Sequence, residues 1–137
     1  MMAMFDLLRF NRDLVTRLQP WLPDDVRLSA AVDAVTIESS PAGSLTIFVS
    51  DLFLRAPHEE AAVRAAHQIL DAVQDFLSDA TGEPWPPVQG DDMPAEMAAP
   101  TAEERDGVME LWYGDQGEPA LALSPMRLSE YCSRPPA

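Results

Sequence analysis

Apolar residues recur at helical spacing over one long stretch of the chain and alternate over several shorter ones. From Pro57 to Ala80, Ala62, Ala66, Ile69, Val73, Phe76 and Ala80 return every three or four positions, and Val63, Leu70 and Leu77 widen the stripe. That period predicts a helix burying one face. Pro57 suits the first turn, Glu59 and Glu60 complement the positive end of the helix dipole, and Gly82 stands where a left-handed C-terminal cap belongs. Just upstream, Ser44 to Leu54 reads as a strand. Leu45, Ile47 and Val49 alternate with Thr46, Phe48 and Ser50, and Leu52, Phe53 and Leu54 follow in succession. Apolar residues on both faces predict a central strand, or one that kinks near Ser50–Asp51.

The flanking segments carry weaker versions of the same two periods. Residues 3–18 predict an amphipathic helix with Met4, Leu7, Leu8, Leu14, Val15 and Leu18 on one face, stopped by Pro20 and Pro23. Val26 to Ser39 reads as extended, with a change of phase over 31–34 that implies a bulge or two short strands. Pro41 and Gly43 mark a turn joining the Val35–Glu38 strand to the Ser44 strand as an antiparallel hairpin. A second hairpin is predicted from Val108–Tyr113 and Ala120–Ser124, and Met126–Tyr131 suggests a further helical turn.

Between the long helix and the second hairpin, 83–107 is rich in proline and acid and reads as a loop. Trp85 pins its start to the core, and Thr101–Arg105 suggests a short capped turn of helix. The fold class expected is α+β: an antiparallel sheet of four to five strands with an N-terminal helix and a long central helix packed on it. One domain is expected over 1–131, with a tail at 132–137.

Charge narrows the functional classes. The formal net charge is −14, and all nine basic residues are arginine. Binding nucleic acid through phosphates is disfavoured without a basic stripe, and so is an anionic membrane surface. A basic protein partner is compatible. Cys132 is the single cysteine, the first ten residues lack the pattern of a secretory signal, and no apolar run is long enough to span a bilayer. A cytoplasmic setting is the expectation.

No catalytic signature recommends itself. His58 and His67 are nine apart, so they do not share a helical face as metal ligands; His67 and Asp71 stand at i, i+4, a spacing common by chance. His58 in the first helical turn reads as exposed. The chain has no Gly-x-Ser-x-Gly and no phosphate-cradling glycine loop, and Asp91–Asp92 does not start a calcium loop. No catalytic residue, cofactor or metal ligand is assigned.

Two features point instead to a partner surface. Asp71, Asp75 and Asp79 stack at four-residue spacing along the long helix, a like-charge arrangement that costs helix stability. It is either a solvated face or a landing site for an arginine- or lysine-rich partner. Phe5 and Phe10 widen the apolar surface of the first helix, which suits either a broad core contact or a dimer or partner surface.

In size, acidity and element order the chain resembles the small acidic chaperones of type III secretion. The comparable parts are the Met4–Leu18 helix, the Leu28–Leu54 strands, the Pro57–Ala80 helix and the Val108–Ser124 hairpin. The acidic insertion at 83–107 and the proline-rich tail depart from that pattern, and the resemblance brings no site residues with it. It implies a homodimer that grips an extended, partly unfolded segment of a client on apolar strand and helix surfaces. The functional expectation is therefore a non-enzymatic protein-binding domain, chaperone- or adaptor-like. The alternatives are an inhibitor or immunity-type protein blocking a basic enzyme, and a small enzyme with an unrecognised site.

Overall fold

Asp6 sets where the first helix begins. In the computed structural model, which describes residues 4–40, 43–83, 85–86, 98–115, 117 and 119–133, its carboxylate accepts the Arg9 backbone N–H. Helix α1 therefore runs from Leu7 to Leu18 rather than from residue 3. The residues before the cap form a short strand, β1 (Met4–Phe5), and Gln19–Trp21 adds a 3-10 turn after α1.

The first antiparallel sheet follows. Strands β2 (Val26–Ala30), β3 (Ala34–Ser39) and β4 (Gly43–Phe48) pair in chain order, with Leu28 opposite Ile37 and Ile37 opposite Leu45. The phase change at 31–34 is a bend between two strands. Asn11, wholly buried on α1, donates from its side-chain amide to the Ala31 carbonyl and holds that bend against the helix.

The strand expected to reach Leu54 stops at Phe48. Val49 donates to Asp33 O, closing the ladder, and Leu52 N–H then turns back to Val49 O. Helix α2 (Ser50–Arg55) takes up the apolar run: Leu52 and Phe53 pack on the core, while Leu54 is 84% exposed. Three successive apolar residues have no alternation to place on a pleated surface, so a helical turn directs two of them inward.

Helix α3 (His58–Thr81) matches the long periodic stretch. Ala61, Ala62, Ala65, Ala66, Ile69, Leu70, Val73 and Leu77 are buried, Phe76 is partly buried and Ala80 is exposed. Four alanines in its first half leave no bulk between its backbone and neighbouring strands. Gly82 caps it with φ +73.

Of the loop expected over 83–107, residues 84 and 87–97 lie outside the described residues, and 100–107 are strand and hairpin turn instead. Thr101–Arg105, expected as a helical turn, is part of strand β5 (Pro100–Arg105), which pairs with β6 (Val108–Gly114). The connection is Asp106–Gly107, with φ +55 and +81. Positive φ at both central residues is what a two-residue hairpin requires to match strand twist. Strand β7 (Pro119–Ala122) and the two-residue β8 (Met126–Arg127) also pair with β6, making a four-stranded sheet. The expected turn at 126–131 is a 3-10 turn, Leu128–Tyr131. The expected tail begins as strand β9 (Cys132–Ser133), paired with β1.

The fold is α+β, with two main antiparallel sheets, one three-stranded and one four-stranded, that share α3, beside the two-stranded pair of β1 and β9. Polar ties fix the second sheet to that helix: the Tyr113 hydroxyl donates to Leu70 O at 2.6 Å, and the buried Gln74 amide donates to Ala98 O. Trp85 packs edge-on against Tyr113 with ring centres 5.2 Å apart and donates its backbone N–H to Ser78 Oγ, so the segment after α3 starts pinned to the core, as expected. The Arg17 guanidinium donates to Ser124 O and Pro125 O, tying α1 to the segment after β7.

Gly82 gives a test of this frame. A Cβ there meets nothing within 4 Å, so Gly82→Ala pays only for the left-handed backbone. We expect a loss of about 1 kcal/mol, seen as a lower urea midpoint with unchanged slope. An unchanged midpoint would show that the cap is not held in that conformation.

Candidate functional site

The outward face of α3 lies between the two sheets. Arg64, His67, Gln68, Asp71, Asp75 and Asp79 are all exposed on it. Val63, Arg64, His67, Gln68 and Asp71, with Ala102 of β5, line an open groove of about 440 Å³. On the opposite flank the Gln68 side-chain amide reaches the Phe48 carbonyl of β4 at 3.5 Å.

Charge on this face is unevenly compensated. Arg64 is engaged by Glu60, one turn towards the N-terminus, at 2.7 Å. Asp71, Asp75 and Asp79 continue the helix at four-residue spacing, and no basic residue stands in its last turn. Carboxylates near a helix C-terminus face the negative end of the dipole, so the line is unfavourable on two counts. Burial pushes the Tyr113 hydroxyl above its ordinary range, and the charge of Asp71 adds to the shift.

His67 and Asp71 both line the groove, but no group of three or more His, Cys, Asp or Glu able to hold a metal ion occurs among the described residues. His58 is half-buried rather than exposed. Its ring lies 5.4 Å from Phe5 and 6.4 Å from Phe53, because the α2–α3 junction folds it against the N-terminal strand. Cys132 is half-buried in β9, and its thiol donates to Leu128 O.

The two aromatic residues singled out from sequence separate from the acidic line. Phe10 has no exposed surface and offers nothing to a partner; it is core, edge-on to Tyr131 with ring centres 5.6 Å apart. Phe5 is half-buried, stacked on Phe53 at 4.8 Å. Both close a cluster with Tyr131, Phe5 from β1 rather than from the helix, so the extra apolar width expected of the first helix is a core contact shared by two elements. Burial and a 2.6 Å hydrogen bond to Asp13 Oδ2 push the Tyr131 hydroxyl up.

Exposed apolar surface lies elsewhere: Trp21 after α1, Val32 in the β2–β3 bend, Leu45 and Phe48 on β4, and Leu54 on α2. Alternation places Phe48 in phase with the exposed Ser44 and Thr46, but it does not reveal Leu45, which shares the phase of the buried Ile47. Searches against protein-family models, curated proteins and solved structures returned no match.

The acidic line has a measurable cost. Asp71, Asp75 and Asp79 replaced together by Asn should raise stability by a few tenths of a kcal/mol per relieved pair, an effect that fades with salt. Equal or lower stability at low ionic strength would mean that the three carboxylates are not in repulsive register.

Proposed function

We propose that this chain is a non-enzymatic protein-binding domain, adaptor- or chaperone-like and homodimeric, whose acidic α3 face receives an extended basic segment of another polypeptide. The observation that carries the reading is the exposed Asp71–Asp75–Asp79 line running on from an open groove, with Arg64 held by Glu60. A helix gains no stability from such a line, so its benefit lies in what it attracts. An open groove beside exposed carboxylates suits a chain that lies along it, with apolar residues against Val63 and Ala102 and cations towards the aspartates. In this manner of action the domain would stand beside the small acidic chaperones of type III secretion.

A second reading, a blocker of a folded basic partner, uses the same face and is favoured by the net charge of −14. Salt separates the two. A folded partner held by charge alone loses affinity steeply with ionic strength, whereas a segment seated on apolar surface retains part of it.

The test is titration of a fluorescent, unstructured peptide of alternating arginine and leucine against wild type and two triple variants. Asp71, Asp75 and Asp79 changed to Asn should weaken binding at least about tenfold. A variant with the same change in charge elsewhere, Asp24→Asn, Asp25→Asn and Glu38→Gln, all exposed, should weaken it much less. Equal losses would reduce the effect to net charge and remove α3 as the binding face.

A further inference from the structure

Open sheet edges invite pairing with another strand, and proteins blunt them with charge, proline or a covering group. Three of the four outer edges of the two main sheets are treated in this way. The free edge of β2 is covered by Gln19, whose side-chain amide donates to Val26 O at 2.9 Å and accepts from Leu28 N–H at 2.8 Å, as a neighbouring strand would. Strand β5 opens with Pro100 and carries Glu103, Glu104 and Arg105; β7 is short and opens with Pro119.

Strand β4 is different. Its sequence, Gly43-Ser-Leu-Thr-Ile-Phe48, has no charge and no proline, and Leu45 and Phe48 are 41% and 65% exposed. The ladder phase shows which main-chain groups turn away from β3. Val49 N–H donates to Asp33 O, so alternate residues Ile47, Leu45 and Gly43 turn towards β3, and Phe48, Thr46 and Ser44 turn outward. The long contact from Gln68 to Phe48 O reaches one of these outward groups.

We infer that this edge is where a second copy of the chain adds, β4 against β4 in antiparallel register about Thr46. This register sets Thr46 opposite Thr46, and Ser44 and Phe48 opposite Phe48 and Ser44 of the second copy. Each of these residues has its N–H and C=O directed outward, so every facing group finds a partner. Leu45 falls opposite Ile47 of the second copy on the same side, which continues the apolar face across the seam. The charge distribution selects the occupant. Two chains of net charge −14 repel, and an uncharged strand lets them meet without opposing like charges, whereas a basic partner is drawn to the aspartates of α3. This names the interface of the homodimer included in the functional reading; it adjoins the basic-partner surface at Gln68, which lines the α3 groove and reaches Phe48 O, and otherwise uses different residues. A monomer that still binds the basic peptide through α3 would overturn the interface alone.

The experiment is sedimentation equilibrium of the full chain from about 1 to about 100 μM, with Thr46→Pro and Thr46→Val as variants. The Thr46 N–H points away from β3, so proline removes an outward donor and leaves the β3 ladder intact. Wild type and Thr46→Val should approach twice the 15.1 kDa chain mass as concentration rises, and Thr46→Pro should weaken dimerisation by at least about tenfold. A wild type that stays monomeric, or a Thr46→Pro dimer as tight as wild type, overturns the proposal. Should Thr46→Pro fail to fold, hydrogen exchange on wild type decides. Protection of the Ser44, Thr46 and Phe48 amides that grows with concentration supports the interface, and protection independent of concentration refutes it.

Discussion

The structure depends on how closely two sheets approach one helix. Ala61, Ala62, Ala65 and Ala66 leave the α3 backbone room to approach strands of both sheets, and Ile69, Leu70, Val73 and Leu77 supply the bulk of its fully buried face. Burial of this kind has no direction of its own. The orientation comes from the polar ties: Tyr113 to Leu70 O, Gln74 to Ala98 O and Trp85 to Ser78. Each satisfies a group that would be costly to leave unpaired away from water, and each fits one placement of the helix.

The same arrangement decides what remains outside. With its buried arc enclosed by the core, α3 presents its polar arc in the gap between two sheet edges, and the acidic line and the groove are consequences of that position. The contrast between β2 and β4 is instructive here. One edge receives a side-chain amide that bonds two of its peptide groups as a strand would; the other meets an amide through one long contact, Gln68 to Phe48 O, and otherwise shows hydroxyls and apolar side chains. The two edges of one small sheet therefore have opposite tendencies to accept a strand.

Much of the fold was legible in the pattern of the chain. The period from Ala62 to Leu77 marked α3, Gly82 marked its end, and the hairpin of β3 and β4 followed from the turn residues between them. Three misreadings have physical causes. Leu52-Phe53-Leu54 suits either a buried strand or a helical turn, and the closing bond from Val49 to Asp33 chose the turn. Thr101–Arg105 resembles a helix start, but Asp106–Gly107 is a stronger hairpin signal, and reading it would have placed β5. The short pair of β1 and β9 carries no local signal, because its partners come from opposite ends of the sequence. The acidic line was legible as a spacing; which apolar residues stay exposed was not, since edge position is decided by tertiary pairing.

That pairing of the two chain ends shapes how the molecule opens. Strands β1 and β9 contribute two residues each, and the loop they close spans nearly the whole sequence, so the chain entropy spent on joining them is large against the few bonds returned. Such a clasp forms late in folding and is among the first parts to fray. Parting it takes Phe5 away from the rings of Phe53 and Tyr131, and no strand of either main sheet takes part in the clasp. A local unclasping at the aromatic corner is thus an opening that leaves the strand pairings of both main sheets in place.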